Sequence, residues 1–272
     1  MITAANTTRP PAVAGLFYPG DANELQDTVD QLLEQAATDT AETLPAIRAI
    51  IAPHAGYIYS GPVAAAAYRQ LSDMKQRIKR VAVLGPSHRV ALGGLAVPDS
   101  EYFSTPLGRI ALDNDTIIRL LHYPQVSRSN LAHSQEHSLE VQLPFLQRLL
   151  GNDFRLIPIV VGDASTDDVA DIISMLLDDG DDLLVVISSD LSHYHDYTSA
   201  QALDDRTSAA IETLQEERIG YEDACGCNPI RGLLHVARQR GWHAHTLDLR
   251  NSGDTAGDKS RVVGYGAYVI NE

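Results

Sequence analysis

The chain has 272 residues, 44% hydrophobic and 21% charged, which suits a globular protein with a sizeable core in one large α/β domain or two small ones. Its 36 acidic residues against 21 Lys and Arg leave a net charge of -15, which argues against nucleic acid or an anionic membrane surface as the main partner. No stretch reaches the roughly 20 apolar residues of a membrane span. The N-terminal MITAANTTRPPAV lacks the layout of a signal peptide, and cysteine is scarce, so the expected compartment is the cytoplasm.

After a proline-rich arm over residues 1–12, Asp21 and Glu24 form a D-x-x-E capping signal, with Leu25, Val29, Leu32, Leu33 and Ala36 at helical spacing behind it. IRAIIA (47–52) reads as a strand running into PHAGYIYSG, and Pro62 suits the first position of a helix over PVAAAAYRQL. RVAVLG (80–85) is the next strand and runs into PSH. A hairpin-like stretch over about 91–112 takes Pro106 and Gly108 as its turn residues. Helical patterns cover 115–122 and about 137–150, where Pro144 either kinks the helix or marks its first turn. FRLIPIVVG (154–162) is a strand, TDDVADIISMLL (166–177) a helix and DLLVVIS (182–188) a strand. A long helix covers about 198–215, a shorter one begins near Pro229, and HAHTLDL (243–249) and VVGYGAYVI (262–270) close the chain as strands. This alternation predicts a single α/β domain over 1–272, with a central mixed sheet, helices on both faces and the last strands added antiparallel.

The unusual polar residues stand where strands end. LLVVISSDLSHYHDY (183–197) passes from a fully apolar run into Asp190 and His193; strand 47–52 ends at His54 and strand 80–85 at His88. In open α/β sheets ligands bind beyond the carboxyl ends of the strands. One such imidazole would count as an ordinary surface group, but three on one edge point to a site. Histidine both ligates metals and titrates near neutrality, so both uses stay open. Cys225, in ACGCNPIRGLL, precedes a helix that Asn228 can cap and Pro229 can start, a position that stabilises a thiolate; the bland alternative is a buried, inert cysteine. In SQEHSLEVQLPFL, His137 and Glu140 have the spacing to share a helix face. As a local metal pair this spacing is weak, and Glu136, His137 and Glu140 are expected to orient ligands instead. His122, His133, His235, His243 and His245 show no motif and read as structural or exposed.

PAVAGLFYPG, PHAGYIYSG, GPSH, EHSLEVQLPFLQ, SSDLSHY, CGCNPI and VVGYGAY follow one another from the arm to the last strand. In these segments the chain resembles the Memo family, whose prokaryotic members are also called AmmeMemoRadiSam system protein B. The resemblance implies a fold like that of the class III extradiol dioxygenases, non-haem iron enzymes that open catechol rings. It places a metal on His54, His88 and Cys225, with Asp190 and His193 beside them in the same cleft. Fe(II) is the first expectation, and Cu(I) the second, because a thiolate stands where the dioxygenases use a carboxylate. The implied function is a redox protein, an oxidoreductase acting on an unidentified small molecule. His193 would be its general acid or base, and Asp190 would fix the His193 tautomer. Tyr57, Tyr59 and Tyr194 are candidates for the pocket wall, and 251–261 for the cleft mouth. Cys227 is open between a spectator, a resolving thiol for an oxidised Cys225 and a further copper ligand. The resemblance also implies an alternative, a non-catalytic module that binds phosphotyrosine peptides in the same cleft, with Arg89 as the obvious cation. The family's prokaryotic name further implies an AMMECR1-like protein and a radical SAM protein as partners. With two cysteines and no C-x₃-C-x₂-C cluster, this chain is not the radical SAM member itself.

Overall fold

Aliphatic runs without polar alternation need cover on both faces, and four of them make the centre of the sheet. The computed structural model describes residues 7–39, 44 and 46–272; residues 1–6 of the expected arm lie outside the described residues. In chain order the strands are β1 Thr8–Arg9, β2 Ile47–Ala52, β3 Arg80–Pro86, β4 Leu95–Val97, β5 Tyr102–Thr105, β6 Gly108–Ala111, β7 Val126–Arg128, β8 Arg155–Val161, β9 Leu183–Ser188, β10 His193–His195, β11 His243–Asn251 and β12 Val262–Asn271. The helices are α1 Ala22–Asp39, α2 Tyr57–Arg69, α3 Asn114–Leu120, α4 Asn130–Ser134, α5 Leu143–Leu150, α6 Thr166–Asp178, α7 Tyr197–Glu212, α8 Cys227–Arg240 and α9 Ser252–Thr255.

The main sheet is mixed. Its order is β10-β12-β2-β9-β3-β8-β4-β7, with β11 also paired to β12. β2, β9, β3 and β8 are parallel, so their carboxyl ends share one edge, while β12 runs antiparallel to β2 and brings its first residues to that same edge. α1, α2 and α5 pack together, with α2 lying on β2 and β12; α6 and α8 pack together and on β3 and β9. A small second sheet joins β1 to the β5–β6 hairpin, whose turn is at Pro106 and Leu107. The stretch read as one hairpin over 91–112 is thus divided, because β4 leaves it to pair with β8 and β7.

Three helix starts differ from the sequence reading. α2 begins at Tyr57, so Pro62 lies inside it and forfeits one bond, to the Ile58 carbonyl. α8 begins at Cys227 with Gly226 as its N-cap, and Asn228 uses its side chain elsewhere, donating to Gly162 O and Tyr221 Oη at 2.9 Å each. The helix read over 137–150 begins at Leu143, with Pro144 in its first turn and a short 3₁₀ turn, Glu140–Gln142, before it. Proline lacks the N–H that would continue the α-helical ladder upstream, so His137 and Glu140 share no α-helical face.

Glu140 therefore does not orient a ligand. It is fully buried, and both of its oxygens serve the N-terminal arm. They accept from the Arg9 guanidinium, from Ala12 N at 2.7 Å, Val13 N at 3.0 Å and Tyr18 Oη at 2.5 Å. A buried carboxylate needs such a set of donors. The set it has ties residues 9–18 to the body of the protein.

Candidate metal centre

Beyond the carboxyl ends of β2, β3 and β9, the chain places His54, His88 and the loop 189–192 side by side. His54 is buried and fixed twice: its N–H donates to Asp190 Oδ1 at 2.7 Å, and its Nδ1 lies 2.9 Å from Ser188 Oγ. Ser188 directs its only proton to Ser138 O at 2.5 Å and accepts from Gln142 Nε2 at 2.8 Å. It can therefore only accept from His54, so the His54 proton sits on Nδ1 and Nε2 keeps a free lone pair. That Nε2 faces Cys225 Sγ at 3.4 Å. Burial first, then the neighbouring His88 and His137, hold the His54 pKa well below its ordinary value, so the ring is neutral as a ligand must be.

His88 is oriented in the same way by a carboxylate. Its N–H donates to Glu136 Oε2 at 2.6 Å and its Nδ1 to Glu136 Oε1 at 2.9 Å, which again leaves Nε2 free. Burial alone would raise the Glu136 pKa, but these bonds and one from Ser138 N overcome it and hold the carboxyl at about 2. Glu136 stands on the loop between α4 and the 3₁₀ turn, which lies flat against β3: a Cβ at Gly85 would come 2.8 Å from Ser138 Oγ.

The thiol arrives from the segment before α8. Cys225 N donates to Asp190 O at 3.2 Å, and Gly226 N to Ser189 Oγ at 2.9 Å. A Cβ at Gly226 would meet Ser189 Cβ at 2.7 Å, so only glycine allows this approach. The backbone at Gly226, the N-cap of α8, favours the Cys225 thiolate as expected, but it is outweighed. Burial, with the Asp190 carboxylate, pushes the Cys225 thiol up. A cation is what would reverse this.

The donor atoms of His54, His88 and Cys225 all lie within 4.8 Å of one another, a group that could hold a metal ion. Bonds of about 2.0 Å to nitrogen and 2.3 Å to sulfur put tetrahedral N and S donors about 3.5 Å apart, and the 3.4 Å between His54 and Cys225 matches this. The residues present fit a metal by donor type, tautomer and spacing. His88, Glu136 and His137 form a second group of the same compactness, but its carboxylate is already engaged by His88. His137 completes a cluster of three rings, with centroids 4.6 Å from His88 and 5.4 Å from His54. Its outer side packs on Phe17 at 4.8 Å, a wall residue the sequence reading missed although it stands in the GLFYPG motif.

The other candidates fall in different places. His193 lies on β10 with Nδ1 donating to Leu191 O at 2.8 Å. That carbonyl, not Asp190, fixes its tautomer and leaves Nε2 free. Asp190 is bonded to His54 N instead, close enough for His193 to act on it; burial pushes the Asp190 pKa up, against the pull of His193. Tyr57 belongs to the core, its hydroxyl donating to Val141 O at 2.7 Å and its ring 5.0 Å from Phe145. Tyr59 and Tyr194 are exposed, and so is Arg89. Cys227 is buried, belongs to neither donor group among the described residues, and directs Sγ to Asn228 Oδ1 at 3.6 Å. A cavity of about 450 Å³ opens on His88 and Cys225, walled by Ala91, Leu92, Val161 and Pro229.

The Memo-like protein family matches residues 9–269. A MEMO1 family protein of Ignicoccus hospitalis is 39% identical over 95% of this chain and 97% of its own length. MEMO1 family protein Ta0237 of Thermoplasma acidophilum is 35% identical over 96% of this chain and 98% of its own. Among solved structures, an uncharacterized protein of Escherichia coli K12, JW3007, superposes with a TM-score of 0.51 at 14% identity, covering 80% of this chain and 99% of that one. That likeness is one of fold.

Proposed function

The chain belongs to the Memo-like protein family, and from that premise we propose that it is a metal-dependent redox protein, an oxidoreductase related to the class III extradiol dioxygenases that acts on a small molecule. One observation carries the reading. Two imidazoles from the ends of different strands are each fixed at Nδ1, by Ser188 and by Glu136, which leaves Nε2 free on both, and both rings belong to one compact donor group with a thiol. A merely structural histidine has no need of this arrangement. Fe(II) is the first choice of metal, since two imidazoles and one anionic ligand leave positions open, and Cu(I) the second, since the third donor is soft. Bound there, the ion would supply Lewis acidity and electron transfer.

The chain's own residues supply the rest. His193 holds its proton at Nδ1 on the Leu191 carbonyl, which frees Nε2 to take a proton from a substrate hydroxyl and return it. Asp190 locks the His54 backbone from within electrostatic reach of His193. The cavity against His88 and Cys225 gives a small molecule room beside the donors. Two free thiols fit a reducing compartment such as the cytoplasm, and no helix among the described residues is long and apolar enough to cross a membrane. An AMMECR1-like protein and a radical SAM protein are the partners the family name suggests.

The test is metal content by mass spectrometry on anaerobically purified protein, wild type beside His54→Ala and Cys225→Ala. Near-stoichiometric iron or copper lost in both variants supports the reading. Wild-type protein that is empty and refuses added Fe(II) and Cu(I) ends it. A second reading, a non-catalytic module for peptides or phosphopeptides, draws on a groove lined by Leu16, Phe17 and Ile58, with Leu16 80% and Ile58 66% exposed. Substrate-dependent O₂ uptake separates the two.

A further inference from the structure

Beside His193 the backbone does something unusual for a bulky residue. Tyr194 has φ +64°, a left-handed conformation that suits glycine and strains an aromatic residue. It is the middle residue of β10, where pairing with β12 slips: His193 faces Val263 but His195 faces Val262. Such a slip re-aims side chains, and the Tyr194 ring stands 63% exposed with its centroid 5.7 Å from that of His193. Glycine would adopt this backbone freely; the ring is what the tyrosine adds.

Arg261 Cζ lies 4.9 Å from the centre of that ring. Its side chain makes no ion pair or hydrogen bond among the described residues, although the protein carries 36 acidic side chains to 21 basic ones. Tyr265 of β12 is within electrostatic reach of Asp190, Tyr59 and Tyr194, so phenols from α2, β10 and β12 gather on this side of the centre. An acidic protein repels anions at long range, and an unpaired guanidinium on an aromatic ring beside a general base is a local exception.

Resting on the redox reading above, we propose that Tyr194 and Arg261 are the specificity-determining pair of this site and that its substrate is an aromatic acid. The substrate ring lies against Tyr194, its anionic group on Arg261 and its hydroxyl toward His193. The pair stands on the β10 and β12 side of the centre, and the cavity that adjoins the donors opens at β3 and β8.

The test uses 4-hydroxyphenylacetate, 4-ethylphenol and tyramine, one phenol ring carrying an anion, no charge and a cation. Calorimetry is run on the full chain, both chelator-treated and loaded with Fe(II) without oxygen. The acid is expected to bind about tenfold more tightly than the neutral phenol, with tyramine weakest. Arg261→Gln removes that preference, Arg261→Lys retains part of it, and added salt weakens the acid alone. Tyr194→Gly, which keeps the backbone conformation, weakens all three probes. The proposal is overturned if the wild type shows no saturable binding or equal affinity for acid and neutral phenol. It is equally overturned if the preference survives Arg261→Gln, or if Tyr194→Gly leaves all three affinities unchanged. Iron content of the same samples reports separately: iron without acid preference removes only this inference, and acid preference in a protein that takes no metal removes only the redox reading.

Discussion

Glu136 and Glu140 are two buried carboxylates within one five-residue stretch, and they serve different parts of the molecule. Glu136 accepts from the ring and backbone of His88 and from Ser138 N, all inside the candidate centre. Glu140 accepts from Arg9, Ala12, Val13 and Tyr18, in the arm and the turn that follows it. Residue type and burial are the same; the donors differ. The comparison teaches that a buried carboxylate acts on whatever brings hydrogens to it, so one glutamate orients an imidazole while its neighbour fastens a length of chain.

The comparison can be broken by experiment, and the largest effect belongs to the arm. Glu140→Ala leaves the buried Arg9 guanidinium unpaired and should cost about 3–5 kcal/mol in denaturant unfolding, with metal stoichiometry kept in the folded fraction. A loss below about 1 kcal/mol would mean that the arm is not fastened there. Next comes pH. In metal-free protein the Glu136 carboxyl sits at about 2 against an ordinary 4.5. Its stabilisation is complete above the ordinary value and is lost as pH falls from about 4.5 through about 2. The loss amounts to roughly 3 kcal/mol, and Glu136→Gln should flatten that part of the stability profile. A Glu136→Gln curve that parallels wild type would assign the acid sensitivity to other groups. Smaller in energy is the effect of Glu136→Gln on the centre: metal affinity should fall about 10–100-fold, read by competition with a chelator, while Glu140→Gln leaves it within about twofold. Smallest is Tyr57→Phe. It removes one core hydrogen bond, should cost about 0.5–1.5 kcal/mol and should leave metal binding untouched; a change in metal affinity would return Tyr57 to the pocket wall.

The central strands were legible because Ile47–Ala52, Arg80–Pro86, Arg155–Val161 and Leu183–Ser188 are apolar runs that a two-sided sheet requires. The histidines were legible for a related reason: strand ends of a parallel sheet share an edge, so His54 and His88 had to be neighbours once β2 and β3 both flanked β9. Helix starts were less so. Pro62 signals a first turn, yet α2 accepts it inside and begins at Tyr57. The network that sets the tautomers was not legible. Ser188, Gln142, Ser138 and the Leu191 carbonyl are ordinary in the sequence, and their roles depend on which loop lies over which strand. Nothing local separates Glu136 from Glu140, since the arm that claims the second lies 131 residues away at Arg9.

Cys225 lies 171 residues after His54, its partner across the centre. A chain emerging from the ribosome presents both imidazoles long before the sulfur, and a sulfur delivered by the segment before α8 needs β9 in place to receive Gly226. Closing so wide a loop belongs among the later steps of folding. Capture of the ion would therefore follow assembly of the sheet, and occupancy would report that synthesis and folding have passed through α8.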